Sequence, residues 1–181
     1  KWTLNFLLRK KFDLPFLSEF VKEGTDIRIS VSDYFSNMLD QNMNWEDAIE
    51  IKKRWNGVFC LKGIMSKEDA IKAVDIGADA IMISNHGGRQ LDGSRSPFDQ
   101  LDEIVDAVAG KIDIICDGGI RRGTHILKAL ALGATACSFG KGFLFALGAG
   151  GQKGVEKMLS NMKDEIRRDM ILLGCKNIKD I

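Results

Sequence analysis

The stretch Ala80-Ile81-Met82-Ile83-Ser84-Asn85-His86-Gly87-Gly88-Arg89-Gln90-Leu91-Asp92 governs how the whole chain is read. Its first four residues are an apolar run with the length and composition of a buried β-strand. Directly beyond it come an imidazole, two glycines and a guanidinium, at His86 to Arg89. Histidine titrates nearest neutral pH, and arginine carries a planar, permanently charged fork. In α/β proteins the C-terminal end of a strand is where ligands bind. The glycines let the backbone turn tightly and let a ligand come close. An ordinary βα loop with a solvated arginine and a hydrogen-bonded histidine would use the same residue types, so the flanking chain has to decide between them.

Outward from this stretch the pattern repeats. Upstream, Asn44 is placed to cap a helix with Trp45, Ala48, Ile49 and Trp55 on one face. Val58 to Leu61 reads as a strand ending in Lys62-Gly63. Ser66 then caps a helix with Ala70, Ile71, Ala73 and Val74 inward and Gly77 as its stop. Downstream, Ser96-Pro97 opens a helix in cap-then-first-turn order, and its stripe is Phe98, Leu101, Ile104, Val105 and Val108. Ile112 to Cys116 is the next strand, closed by Asp117-Gly118-Gly119. A helix after Gly123 stops at Gly133, and the strand Ala136 to Phe139 runs into Gly140-Lys141-Gly142. Val155, Met158, Leu159, Met162, Ile166 and Met170 predict a long amphipathic C-terminal helix.

Four βα units with short apolar strands predict an α/β fold with a parallel sheet covered by helices. Chemistry-bearing residues stand at all four strand ends: Lys62, Ser84 to His86, Asp117 to Arg121, and Gly140-Lys141. That distribution favours a TIM barrel over an open sheet. A closed barrel of this kind has eight strands. The expectation is therefore the C-terminal four βα units plus a C-terminal helix over residues 44–181, preceded by a partial helix and an irregular connecting segment over 1–43. That segment mixes aromatic residues with lysines, suiting a membrane surface, a partner, or a further part of the protein.

Composition narrows the function. Lys and Arg number 26 against 25 Asp and Glu in 181 residues, so there is no overall basic field for nucleic acid. Hydrophobic residues make up 45% and charged residues 28%, ordinary globular usage. Cys60, Cys116, Cys137 and Cys175 are widely spaced without a CxxC, and read better as small, mostly buried hydrophobes than as disulfide or metal pairs. No metal site is expected, and a reduced, intracellular setting follows from that cysteine usage. The first residue is not Met and the chain opens in mid-pattern, as a fragment or processed segment would.

Two glycine-rich turns follow the last two strands, Asp117-Gly118-Gly119-Ile120-Arg121-Arg122-Gly123 and Gly140-Lys141-Gly142-Phe143. TIM barrels commonly hold a phosphate at this place, with backbone amides and a helix N-terminus, and Arg121 and Lys141 would add charge. Lys62, directed into a barrel mouth, is suited to stabilise negative charge developing on a bound cofactor.

Taken together and in order, Lys62-Gly63, the motif Ser84 to Asp92, Asp117 to Gly123, and Gly140 resemble the C-terminal half of the FMN-dependent 2-hydroxy-acid dehydrogenase and oxidase family. The tail Leu172 to Ile181 also fits, and the resemblance covers roughly residues 44 to 181. It implies that His86 is the active-site base and that Arg89 binds the substrate carboxylate. It further implies that Lys62 and Ser84 contact the flavin, while Asp117, Gly118, Gly119, Ile120, Arg121, Gly140 and Lys141 hold the ribityl-phosphate end. The implied reaction is oxidation of an L-2-hydroxy acid, most simply L-lactate, to the 2-oxo acid. The competing expectations are a phosphate-binding TIM-barrel enzyme of other chemistry and a non-catalytic half-barrel.

The chain departs from the family pattern in two ways. The usual Gly-Arg-Pro turn is Gly140-Lys141-Gly142 here, which keeps the charge but loses the fork. The family's two active-site tyrosines and the aspartate that orients the histidine belong to its first half, and Tyr34 matches neither tyrosine. The segment over 10–43 with Trp45-Glu46-Asp47 resembles the respiratory L-lactate dehydrogenases. That implies a quinone or cytochrome acceptor, and a cytoplasmic protein with a peripheral contact on the inner membrane. Two open sheet edges, with Ile81, Ile83, Ile114 and Phe139 expected to face an absent wall, predict association with a second copy or with a missing N-terminal half. Negligible catalysis by these residues alone is expected.

Overall fold

The computed structural model describes Leu8 and residues 40–181. The expectations for the rest of 1–43, including the irregular segment, its membrane contact and Tyr34, lie outside the described residues. The chain divides into a unit over 1–47 and a larger one over 48–181. In the first, Leu8 is helical and exposed. At its end, the Asn44 side chain accepts from the Glu46 amide at 2.8 Å, and Asp47 accepts from the Asn44 amide at 2.9 Å. This reciprocal box starts helix α1 (Trp45–Arg54), as the sequence predicts.

The larger unit is a four-stranded parallel sheet with helices following its strands. Strands β1 (Cys60–Lys62), β2 (Ala80–Ile83), β3 (Asp113–Asp117) and β4 (Ala136–Ser138) lie in sequence order. Helices α2 (Lys67–Asp75), α3 (Pro97–Val108) and α4 (Gly123–Ala131) connect them, and α5 (Lys141–Leu173) closes the described chain together with a short terminal turn. The local chemistry works as expected. Ser66 and Ser96 each accept from the amide three residues on, at 3.2 Å. Pro97 takes the first turn of α3, and Gly77 and Gly133 turn the chain after α2 and α4 in the left-handed region. Four parallel βα units in sequential order are half of the TIM barrel pattern.

Register sorts the strand residues into two faces. Ile81 pairs with Ile114, and Ile83 with Cys116, which in turn pairs with Cys137. On this face Ile81, Ile83 and Cys116 are fully buried and Ile114 nearly so, with Leu101, Ile104 and Val108 of α3 in the same core. The other face carries Cys60, Lys62, Ala80, Met82, Ile115, Asp117, Ala136 and Ser138, of which only Ala80 is buried. The expectation that Ile81, Ile83 and Ile114 face an open lumen is therefore corrected. Successive strand residues point to opposite faces, so Ile81, Ile83 and Ile114 go to the helix-covered side while Lys62, Met82, Ile115 and Asp117 stand on the open side. Phe139 lies just beyond β4, half-buried.

Other expectations also change. Trp55 falls one residue beyond α1 and is exposed, its indole N–H donating to the Val58 carbonyl at 3.0 Å. Ile71 is exposed rather than inward. Cys60 is exposed, while Cys116 is buried and Cys137 half-buried. Burial, with lesser contributions from Cys137 and Asp117, pushes the Cys116 thiol up to about 11. Cys116 should therefore alkylate at least ~10-fold more slowly than Cys175 at pH 8, measured by mass spectrometry of iodoacetamide-treated protein.

The long C-terminal helix forms, but not as a single rod. At Gly150 and Gly151 the backbone leaves the helical region (Gly151 φ 57, ψ −144). A Cβ on Gly154 would come within 2.2 Å of the Ala146 carbonyl oxygen. Eight residues of straight helix would hold these positions about 12 Å apart, so α5 bends sharply back at the glycine pair. Of the expected stripe Met162 is buried, Leu159 is exposed, and Val155, Met158, Ile166 and Met170 are half-buried. No helix among the described residues is long and apolar enough to cross a membrane.

Candidate active site

The four strand ends meet on the open side of the sheet, and three of them share one hydroxyl. Ser84, immediately after β2, is 1% exposed. Its Oγ donates to Asp117 Oδ2 at 2.6 Å, at the end of β3, and accepts from Lys62 Nζ at 3.0 Å, at the end of β1. It also accepts the His86 backbone N–H at 3.2 Å. One donor and two acceptor positions are all a hydroxyl has, so Ser84 is saturated. Lys62 Nζ stands 3.7 Å from Asp117 Oδ2, an ion pair bridged through this serine.

The motif folds as the glycines dictate. Asn85 accepts from the Gly88 amide at 3.1 Å and opens a single 3₁₀ turn over His86–Gly88. Gly87 and Gly88 have φ of 70° and 71°, and His86, with a side chain, has φ 56°. Non-glycine residues avoid this left-handed region. The imidazole is exposed and makes no hydrogen bond with a described residue. It lies over Gly63, where an added Cβ would sit 3.3 Å from His86 Cε1. Gly63 thus does more than end a strand: it leaves room for the ring, a role with no signal in the sequence beyond the glycine itself. Arg89 follows the turn, exposed, its guanidinium free of any hydrogen bond or ion pair with a described residue.

At the last two strand ends, Gly118 and Gly119 turn with φ of 104° and 72°, and a Cβ on either would meet nothing within 4 Å. The Gly118 amide donates to the Ser138 carbonyl at 3.0 Å, joining the two turns. The amides of Gly119 and Ile120 donate to no described residue, and those of Lys141, Gly142 and Phe143 open α5 as unpaired first-turn donors. Ile120 is buried and anchors the turn, and Gly140 has open space where its side chain would be. Arg121 is exposed beside this cradle. Lys141 is exposed as well, but its ammonium donates to the Gly87 carbonyl at 2.6 Å. It thereby links the expected phosphate turn to the His86 loop, with two N–H groups still to give.

Arg122 and Gly123, also in the glycine-rich turn, do something else. Glu165 of α5 accepts from Arg122 Nε at 2.9 Å and from the Gly123 amide at 2.7 Å. Arg122 and that amide hold the Glu165 carboxyl below its usual range. A Cβ on Gly123 would come within 2.4 Å of the Met162 carbonyl oxygen. The first half of the motif shapes a cradle and the second half docks a helix. Among the described residues no group of His, Cys, Asp and Glu is placed to hold a metal ion.

A protein-family model described as FMN-dependent dehydrogenase matches residues 1–181. The L-lactate oxidase of Nostoc sp. is 46% identical over 148 residues, which is 82% of this chain and 40% of that protein. The L-lactate dehydrogenase of Xanthomonas campestris is 42% identical over 97% of this chain and 45% of its own length. The solved structure of mandelate oxidase with benzoyl-formic acid superposes with a TM-score of 0.73 at 44% identity, covering 76% of this chain and 41% of that one. A flavocytochrome b2 variant with benzoylformate gives 0.75 at 42% identity, covering 78% and 37%. The chain thus spans somewhat under half the length of the relatives it matches. With a family model matched from end to end, identities above 40% and one shared fold, the chain belongs to the FMN-dependent dehydrogenase family, whose cofactor is FMN.

Proposed function

We propose that this chain carries the base-bearing and phosphate-binding half of an FMN-dependent oxidoreductase that converts an L-2-hydroxy acid, L-lactate first among them, to its 2-oxo acid. The observation that supports this most is the meeting of Lys62, Ser84, Asp117 and the His86 loop at one edge of the sheet. The residues fit the cofactor. Open space at Gly118, Gly119 and Gly140, amides of Gly119, Ile120, Lys141, Gly142 and Phe143 that donate to no described residue, and Arg121 beside them suit a phosphate. Lys62 Nζ, half-exposed in the mouth, suits the electron-rich edge of an isoalloxazine. When bound, FMN supplies the two-electron acceptor that no side chain can provide.

The rest is the work of this chain's own groups. The exposed Arg89 guanidinium pairs its fork with the substrate carboxylate and sets the carbinol towards His86. His86, without a described hydrogen-bond partner at its ring, takes the proton that oxidation releases. Gly63 beneath the ring leaves it room to approach. Arg89→Lys keeps the charge but loses the fork. We expect KM for the 2-hydroxy acid to rise by about 10- to 100-fold, with a smaller fall in kcat. Equal steady-state constants for the two proteins would remove Arg89 from the substrate site.

The electron acceptor we favour is a quinone or cytochrome. Rapid hydrogen peroxide release on lactate in air would count against it. For the polypeptide of 181 residues alone, the exposed outer strands β1 and β4 and the half-open inner face favour pairing with a second copy or a complementary half-barrel. We expect a dimer and negligible lactate oxidation. Sedimentation velocity at micromolar concentration would show a well-behaved monomer if this is wrong.

A further inference from the structure

We infer that Ser84 is a positioning residue. Its hydroxyl keeps the Lys62–Asp117 pair apart and fixes the backbone of His86. The inference deepens the proposal that His86 is the base, but it stands on geometry that needs no cofactor. Three observations carry it. Ser84 is 1% exposed, and every hydrogen-bonding position of its Oγ is filled, by Lys62 at 3.0 Å, Asp117 at 2.6 Å and the His86 amide at 3.2 Å. Lys62 and Asp117 form a long ion pair at 3.7 Å, beyond hydrogen-bond distance, with the serine oxygen bridging them. His86 holds φ 56°, a conformation that side-chain-bearing residues rarely adopt, and its amide is tied down by that same oxygen.

The consequences follow from charge and geometry. Without the hydroxyl, nothing separates the ammonium from the carboxylate. Lys62 would close onto Asp117 and be drawn from the mouth of the site, where its charge is useful. The His86 amide would lose its acceptor, and the turn would keep the Asn85 side-chain bond to the Gly88 amide and the Lys141 bond to the Gly87 carbonyl. Ser84 thus couples the place where the cofactor's charge develops to the place where the proton leaves.

The experiment is amide hydrogen exchange by NMR on the chain without cofactor, comparing Ser84→Ala and Ser84→Thr with the parent. We expect His86 N–H exchange to speed up by about 10-fold or more in Ser84→Ala, with the β2 amides of Ile81 and Ile83 unchanged. In Ser84→Thr, which keeps the hydroxyl, exchange at His86 should return to within about threefold of the parent. His86 exchange unchanged in Ser84→Ala would overturn the inference. So would equal acceleration at His86, Ile81 and Ile83, because that would mean general destabilisation. A failure of FMN binding would sink the functional proposal and leave this result standing, so the two can fail separately.

Discussion

Replacing His86 by glutamine, in a context that closes the barrel, lowers turnover on a 2-hydroxy acid by about 10²- to 10⁴-fold, the range for removal of a positioned base. Glutamine keeps a planar polar group of similar reach but cannot accept a proton near neutral pH. FMN affinity should stay within about twofold, because the cradle at Gly118–Arg121 and Gly140–Lys141 follows other strands and makes no hydrogen bond with the imidazole. Joining this chain to the first half of a homologous flavoenzyme supplies the context. Steady-state kinetics and flavin titration then read the two effects separately. Near-parental turnover would remove His86 as the base. A parallel loss of flavin would mean that the loop holds the cofactor rather than the proton.

Gly123→Ala should lower stability by about 3 kcal/mol, the upper range for overpacking, because the added methyl meets a backbone carbonyl and cannot be accommodated by a rotamer change. The position sits 2.4 Å from the Met162 oxygen in the sense of a built Cβ, and 2.9 Å from both Glu165 Cβ and Ile166 Cγ1. Gly119→Ala, with open space around it but φ 72°, should cost about 1 kcal/mol by backbone strain alone. Urea unfolding followed by circular dichroism separates the two. Equal midpoints would show that α4 and α5 are not docked at Gly123. Acid should loosen the same joint. The Glu165 carboxyl is held below its ordinary value in the folded chain by Arg122 and the Gly123 amide. Its contribution is therefore complete above the ordinary glutamate pKa and disappears as pH falls through the lower folded value. Glu165→Gln should flatten stability over that acid window.

The contrast between these glycines shows where the sequence is informative. Capping serines, Pro97 and the left-handed stops mark helix ends because each residue type satisfies a local backbone need, so the four βα units and their order are legible directly. The grouping of Lys62, Ser84, His86 and Asp117 is legible because parallel strands bring their C-terminal ends to one edge. What sequence alone leaves hidden depends on contacts far along the chain. Nothing local distinguishes Gly119, which is open, from Gly123, which carries a helix 42 residues away through Glu165. β2 is apolar at every position, so its sequence does not say which face the helices cover, and for that reason Ile81 and Ile83 read as lumenal. Lys141 reads as a phosphate ligand from its turn, and its bond to Gly87, 54 residues back, appears only in three dimensions. The amphipathic stripe begins at Val155, past the glycine pair, so the bend at Gly150 and Gly151 appears only in three dimensions.

The central claim is that the glycine-rich ends of β3 and β4 hold the phosphate of FMN beside the His86 loop. It is tested most directly by titrating the chain with FMN and, separately, with riboflavin, reading flavin fluorescence quenching, and repeating both with Arg121→Ala. The account predicts saturable FMN binding at least ~10-fold tighter than riboflavin binding, with that preference reduced several-fold by Arg121→Ala while riboflavin affinity is unchanged. Equal affinities for the two flavins, or no saturable FMN binding, would contradict it.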